Sequence, residues 1–215
     1  MIESRHLGVM SYKDCLEVQY QVHREIVETA QPGVILSVEH LPVITLGKHA
    51  NQANLLWSRE WLNAQSIDLC ETDRGGEVTA HEPGQLVVYP ILRLSDFQLS
   101  PRKYVALLED VVISTLLNLG ISSAVDPERP GVWVGSDKIC AIGVRIKDRV
   151  SMHGIALNIS NSLRIFDLIV PCGLVGRGVT SMARLSPNQP PELVAVRDAL
   201  VSSLVARLEQ RRVSV

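Results

Sequence analysis

A chain of 215 residues with 46% hydrophobic content can build one well-packed domain, whereas two would each be small. Its 21 basic and 23 acidic residues are interleaved and sum to a formal charge of -2, which excludes the basic footprint of a nucleic-acid binder or of a protein held on anionic membrane. No apolar h-region opens MIESRHLGVM, and the longest apolar runs are too short or too charged to span a bilayer. The expectation is one soluble, cytoplasmic domain over 1–215, with no nucleic-acid or membrane partner.

In chain order, Leu16, Tyr20, His23, Val27 and Ala30 recur at helical spacing and predict a first helix, with His23 as a face residue. GVILSVEH (33–40) and PVITLG (42–47) are short and rich in β-branched residues, and they predict strands. TDRGGEVTAHEPG (72–84) reads as a glycine-rich loop leading into a further strand, QLVVYPIL (85–92). Ser100 as N-cap and Pro101 in the first turn open a helix that Leu119-Gly120 ends. GVWVG (131–135), KICAIGVRI (138–146) and VSMHGIALNIS (150–160) then follow with turns too short for parallel crossovers. With the second turn centred on 147–149, Gly143 falls opposite His153 and Gly154, a patch of low bulk where a ligand can approach backbone. After SPNQPPE (186–192), Leu193, Leu200, Leu204 and Leu208 predict a last helix. The fold class is α+β: a largely antiparallel, mixed sheet flanked by helices.

The cysteines, Cys15, Cys70, Cys140 and Cys172, form no CxxC pair, which argues against structural zinc; reduced thiols of this kind are ordinarily small buried hydrophobes. Cys172 stands in IVPCGLVGRGVTSM (169–182) between Pro171 and Gly173, a setting that suits a turn presenting its side chain. On local sequence alone the buried-spacer reading is the ordinary one, with a metal ligand or a nucleophile left open. Arg74 and His81 in the glycine-rich loop supply donors, yet no GKS or GKT follows and GxGxxG is absent, so no nucleotide cradle is indicated.

Four ordered motifs, R-G-G-x-x-T-x-H-x-P-G-Q at 74–85, K-I-x-A-I-G at 138–143, H-G-x-A-L-N at 153–158 and P-C-G-L at 171–174, resemble the lipoyl(octanoyl) transferases of lipoate biosynthesis. The resemblance runs from the N-terminal helix to about Met182. It implies the fold shared with biotin and lipoate protein ligases, and transfer of an octanoyl group through a thioester on the enzyme. The implied donor is octanoyl-acyl carrier protein; the acceptors are lysines in lipoyl domains of 2-oxoacid dehydrogenases and of glycine cleavage H protein. Position by position it assigns Cys172 as nucleophile and Lys138 as its acid/base partner. It assigns the acyl site to Arg74, Gly75, Gly76, Glu77, Val78, Thr79, Ala80 and His81, with Ala141, Ile142, Gly143, Gly154, Ile155 and Ala156, and it implies neither cofactor nor metal. Glu82 departs from the pattern, standing where the family usually has glycine, so a loop needing positive φ there would be strained.

The chemistry can be argued without the family. An ammonium near Cys172 favours its thiolate, and for Lys138 to accept a proton and return it, burial against Ile139 and Ile142 must favour the neutral amine. Backbone N–H groups in the 172–174 turn would stabilise the oxyanion. Thioester to thioester to amide needs no nucleotide. Cys140, two residues from Lys138 and expected on the same strand face, competes as nucleophile. His81 and His153 compete as base. An ATP-dependent ligase of lipoate or biotin type and a non-enzymatic binder of acyl carrier protein are the alternative functions.

Overall fold

The computed structural model describes residues 2–29, 31–51, 54–127, 129–170 and 178–212. Two sheets form its frame. The larger comprises β1 (Glu3–Met10), β2 (Gly33–His40), β6 (Gln85–Leu92), β7 (Ala124–Asp126), β8 (Arg129–Val134), β9 (Asp137–Lys147) and β10 (Val150–Asn158), in the order β1-β2-β6-β10-β9-β8-β7. Only β1 and β2 pair in parallel; the other neighbours are antiparallel, as the short turns require. The smaller sheet, unforeseen as a separate layer, has β3 (Val43–Leu46) between β4 (Asp68–Glu71) and β5 (Val78–His81). The expected loop at 72–84 therefore contains a strand, Val78–His81.

The β9–β10 hairpin closes through Asp148 and Arg149, both left-handed with φ of 52° and 62°, the two-residue geometry that matches strand twist. That turn fixes the register: Gly143 pairs with Gly154 and Val144 with His153. A Cβ on Gly154 would stand 2.3 Å from Val88 O, so β6 can lie this close only to glycine.

Helix α1 (Tyr12–Glu28) is capped by Ser11, whose side chain accepts from Asp14 N. It buries Tyr12, Cys15, Gln19, Val22, His23 and Ile26 against one face of the large sheet, a stripe rotated from the one expected; Val27 is exposed, and Ala30 lies outside the described residues. His23 donates from Nε2 to Lys147 O. The six-residue α2 (Arg59–Ala64) packs against β4. On the opposite sheet face lie α3 (Pro101–Asn118), which starts at the foreseen Ser100 cap, and α5 (Leu193–Glu209), which follows the short α4 (Met182–Leu185). Leu107, Leu108, Val111 and Leu116 of α3 and Val196, Leu200, Leu204 and Leu208 of α5 close that core. No described helix is long and apolar enough to cross a membrane.

Candidate active site

Between the α1 face of the large sheet and the small sheet lies a cavity of about 490 Å³. Its sheet wall is made of small residues in register. Ala141 pairs with Ala156, which pairs with Val87, and beside them Gly143 pairs with Gly154. Facing them are the 74–77 loop, Val78, Thr79 and His81 of β5, Phe166 and Val179.

All the residues expected to hold substrate line this cavity except Ala80, which points into the core of the small sheet. Their roles differ from expectation in two places. Arg74 was expected to offer donors to a ligand, but the residue is only 7% exposed and its guanidinium hydrogen-bonds the chain. Nε donates to Thr45 Oγ1, Nη2 to Thr45 O at 2.8 Å and to Glu77 O at 2.8 Å, and Nη1 to Gly75 O. Arg74 thus ties the 74–77 loop to β3. Gly75 N also donates to Val144 O, so the loop rests on β9 where Gly143 leaves room.

His81 donates to the chain and offers the cavity an acceptor rather than a donor. Gln85 Nε2 donates to Ala80 O and to Asn158 Oδ1, and Asn158 Nδ2 donates to Thr180 O. Because carbonyls anchor both ends, Gln85 Oε1 must accept from His81 Nδ1 at 2.7 Å, and the Nε2 lone pair is left for the cavity. Burial, with the nearby His40 adding to it, pushes this imidazole down to about 3.

His153, 1% exposed, has an unusual φ of 57° and donates from Nε2 to Asp73 Oδ1 at 2.9 Å. Asp73 also holds Arg145 Nη1 at 2.6 Å through Oδ2. Burial outweighs the carboxylate and keeps the His153 pKa below the usual value, while the His153 N–H holds Asp73 below the carboxylate range. Burial thus keeps both imidazoles neutral at neutral pH, and His153 has its Nε2 committed to Asp73.

Lys138 lines the cavity at its β8 edge. Its Nζ donates to Pro130 O at 3.3 Å and lies 4.7 Å from the centroid of Trp133. The expected apolar neighbour Ile139 is instead in the core under α3 and α5, with Cys140 beside it. A bulge explains this: Val132 pairs with Cys140 but Trp133 pairs with Lys138, so an extra residue breaks the alternation and Cys140 does not share the face of Lys138. Burial pushes the Cys140 thiol up to about 12, and that of Cys15 likewise. Neither is a nucleophile at neutral pH. Cys172 lies outside the described residues. The segments that flank its stretch are described: Val170 N donates to Asn54 O on the entry side, and on the exit side Gly178 to Thr180 pair with Lys138.

Glu82 is not strained. The left-handed residue of its turn is Gly84, φ 88°, while the Glu82 carboxylate accepts from Leu163 N at 2.7 Å and Ser162 Oγ at 2.9 Å. Also unforeseen are Tyr12 and Tyr89, which line the cavity, and His40 and Asp73, which hydrogen-bond the lining residues Tyr89 and His153.

The model of the lipoyl protein ligase A/B catalytic domain matches residues 11–205. The chain belongs to that family. An octanoyltransferase of Clostridium kluyveri is 43% identical over 180 residues, covering 84% of this chain and 77% of its own length. The mitochondrial octanoyl-[acyl-carrier-protein]:protein N-octanoyltransferase of Danio rerio is 43% identical over 195 residues, covering 89% and 86%. Lipoate-protein ligase A bound with ATP superposes with a TM-score of 0.71 over 97% of this chain and 85% of that one at 13% identity. Biotin protein ligase from Aquifex aeolicus gives 0.60 over 98% and 72% at 11% identity. The expected ligase-type fold is therefore present. Among family members, the relatives that share about two residues in five with this chain are octanoyl acyltransferases, and the enzyme is an acyltransferase of that kind.

Proposed function

We propose that the enzyme moves an octanoyl group from octanoyl-acyl carrier protein to a lysine of lipoyl domains through a thioester on Cys172, acting as one catalytic unit over 1–215 in the cytoplasm. The acceptors are the lipoyl domains of 2-oxoacid dehydrogenases and of glycine cleavage H protein. What carries the reading is the cavity: an alanine and glycine floor suited to an unbranched chain, with Lys138 at its edge, hydrogen-bonded to the segment that leaves 171–177.

In the first half-reaction Lys138 takes the thiol proton of Cys172, and the thiolate attacks the donor thioester. The carbon–sulfur bond to the carrier breaks, and the departing thiolate recovers the proton from Lys138. In the second, the lipoyl-domain amine attacks the Cys172 thioester, Lys138 accepts a proton from it, and Cys172 leaves as thiolate and is reprotonated. Arg74, Ala80 and Thr79 shape the acyl site through the chain fold, while Gly143, Gly154, Ala141 and Ala156 form the surface on which the chain lies.

Incubation with octanoyl-acyl carrier protein and an unmodified lipoyl domain, with no nucleotide, tests the reaction by intact mass of the acceptor. An octanoyl amide is expected. Modification that needs free octanoate and ATP would make the enzyme a ligase instead.

A further inference from the structure

The Pro130–Gly131 peptide stands outside the ladders of β8. On the β7 side Arg129 pairs with Asp126 and Val132 with Val125, and on the β9 side pairing begins only at Val132, so the two residues between are bulged out of register. Gly131 has a φ of 124°, which L side chains rarely adopt, and a Cβ there would stand 2.6 Å from Cys140 O. A peptide released from the sheet must bond its N–H and C=O elsewhere. Both go to charged side chains. Gly131 N donates to Glu109 Oε1 at 3.0 Å, and Pro130 O, the other end of the same amide, accepts from Lys138 Nζ at 3.3 Å.

Glu109 belongs to α3, which packs on the sheet face away from the cavity floor, and it stands one turn after Val105. Lys138 lies on the cavity side, with its Cε 3.4 Å from where a Gly131 Cβ would stand and its ammonium over the Trp133 ring. One amide thus joins a carboxylate behind the sheet to the proposed acid/base. The arrangement has a single polarity. A carboxylate that draws on the N–H polarises the amide and strengthens what its carbonyl oxygen accepts, and the ammonium is the stronger donor to that oxygen. The two charges are at most about 9 Å apart, so attraction across partly buried protein acts in the same sense. The other charged groups near this edge, among the described residues, are Arg129 and Asp126 on β8 and β7, Asp137, whose Oδ1 accepts from Gly178 N, and Arg184, which donates to Val179 O.

Resting on the acyl-transfer reading, we infer that Glu109 is a positioning residue for the acid/base step, acting through the Pro130–Gly131 peptide to hold and orient the Lys138 ammonium. The ammonium formed when the Cys172 thiol gives up its proton is then met by an amide already polarised to receive it. Once the departing thiolate takes the proton back, the amine keeps the same partner and is aimed for the second half-reaction. The relation is that of the carboxylate behind a catalytic histidine, with a peptide standing between the two groups.

The test separates charge from shape. Glu109→Gln keeps an oxygen for Gly131 N and removes the charge, whereas Glu109→Asp keeps the charge and withdraws it; both are checked for a cooperative melt. Trace acetic anhydride labelling of Lys138, read by peptide mass analysis across pH, needs no acyl donor, and its midpoint does not depend on access to the amine. In Glu109→Gln that midpoint should fall by about one pH unit from the wild-type position, and octanoyl adduct formation at pH 7 should slow by about 10-fold. Glu109→Asp should move both the same way by less, and it supplies the readout if the Gln variant does not fold. Folded variants whose midpoint stays within about 0.2 pH of wild type would overturn the relay even if they react slowly, because lost rate alone is what a structural prop would give. A moved midpoint with no octanoyl adduct in wild type would defeat the acyl-transfer reading and leave the relay standing.

Discussion

Lys138 and Val179 face each other as parallel bridge partners: the Lys138 N–H donates to Gly178 O at 3.0 Å and its carbonyl accepts from Thr180 N at 3.0 Å. The proposed acid/base and the exit from 171–177 are thereby one hydrogen-bonded unit. Asp137 tightens it, its Oδ1 accepting from Gly178 N at 3.2 Å.

Asp137→Ala should therefore lower kcat for octanoyl transfer by about 10-fold, since small misplacements of reacting groups are costly, while stability changes by only about 1 kcal/mol. Asp137→Asn keeps an acceptor and should restore most of the rate. Steady-state kinetics alongside urea melts separate the two effects.

Glu82 serves as an anchor for the turn into the 3-10 helix Arg164–Leu168, which supplies Phe166 to the cavity. Glu82→Ala strips an acceptor from Leu163 N and Ser162 and should destabilise the fold by roughly 1–3 kcal/mol in urea unfolding. A conformationally strained Glu82 would give the opposite sign.

Gly154→Ala puts a methyl 2.3 Å from Val88 O and 2.8 Å from Pro90 Cδ, both fixed by the β6–β10 pairing. The cost should be about 1–3 kcal/mol, seen as a lowered melting midpoint even without ligand.

Acid should destabilise the enzyme between neutrality and pH 4. Burial lowers His40 to about 4 and His81 to about 3, against 6.5 when unfolded. The unfolded chain then binds more protons, so the stability present above pH 6.5 is lost progressively below it. Asp73, whose carboxyl is also lowered, acts in the same direction further down. Between pH 7 and pH 5 the loss should reach a few kcal/mol, and His40→Gln should flatten the slope. Urea midpoints measured at pH 7, 6 and 5 check both statements.

Local signals predicted much of the frame. Ser100 and Pro101 mark the start of α3, and β2 and β6 coincide with their apolar runs because both strands are buried on both faces. β1 escaped notice because it is an edge strand rich in polar side chains, and β4 and β5 because four-residue strands of a small sheet show little periodicity. The α1 stripe was displaced because Gln19, polar by composition, takes a core position where its Oε1 accepts from His153 N; the foreseen His23 shares that face and donates to Lys147 O. In the site, motif residues marked both cavity walls, but the sequence could not show that Arg74 is consumed by Thr45 and Glu77, nor that a bulge turns Cys140 away from Lys138.

Mapping the acylated residue tests the central claim most directly. After brief mixing with octanoyl-acyl carrier protein and no acceptor, peptide mass analysis should place one octanoyl group on Cys172; the adduct should vanish in Cys172→Ala and form at least about 100-fold more slowly in Lys138→Ala. An octanoyl group that persists in Cys172→Ala, or that maps to any other residue, would contradict it.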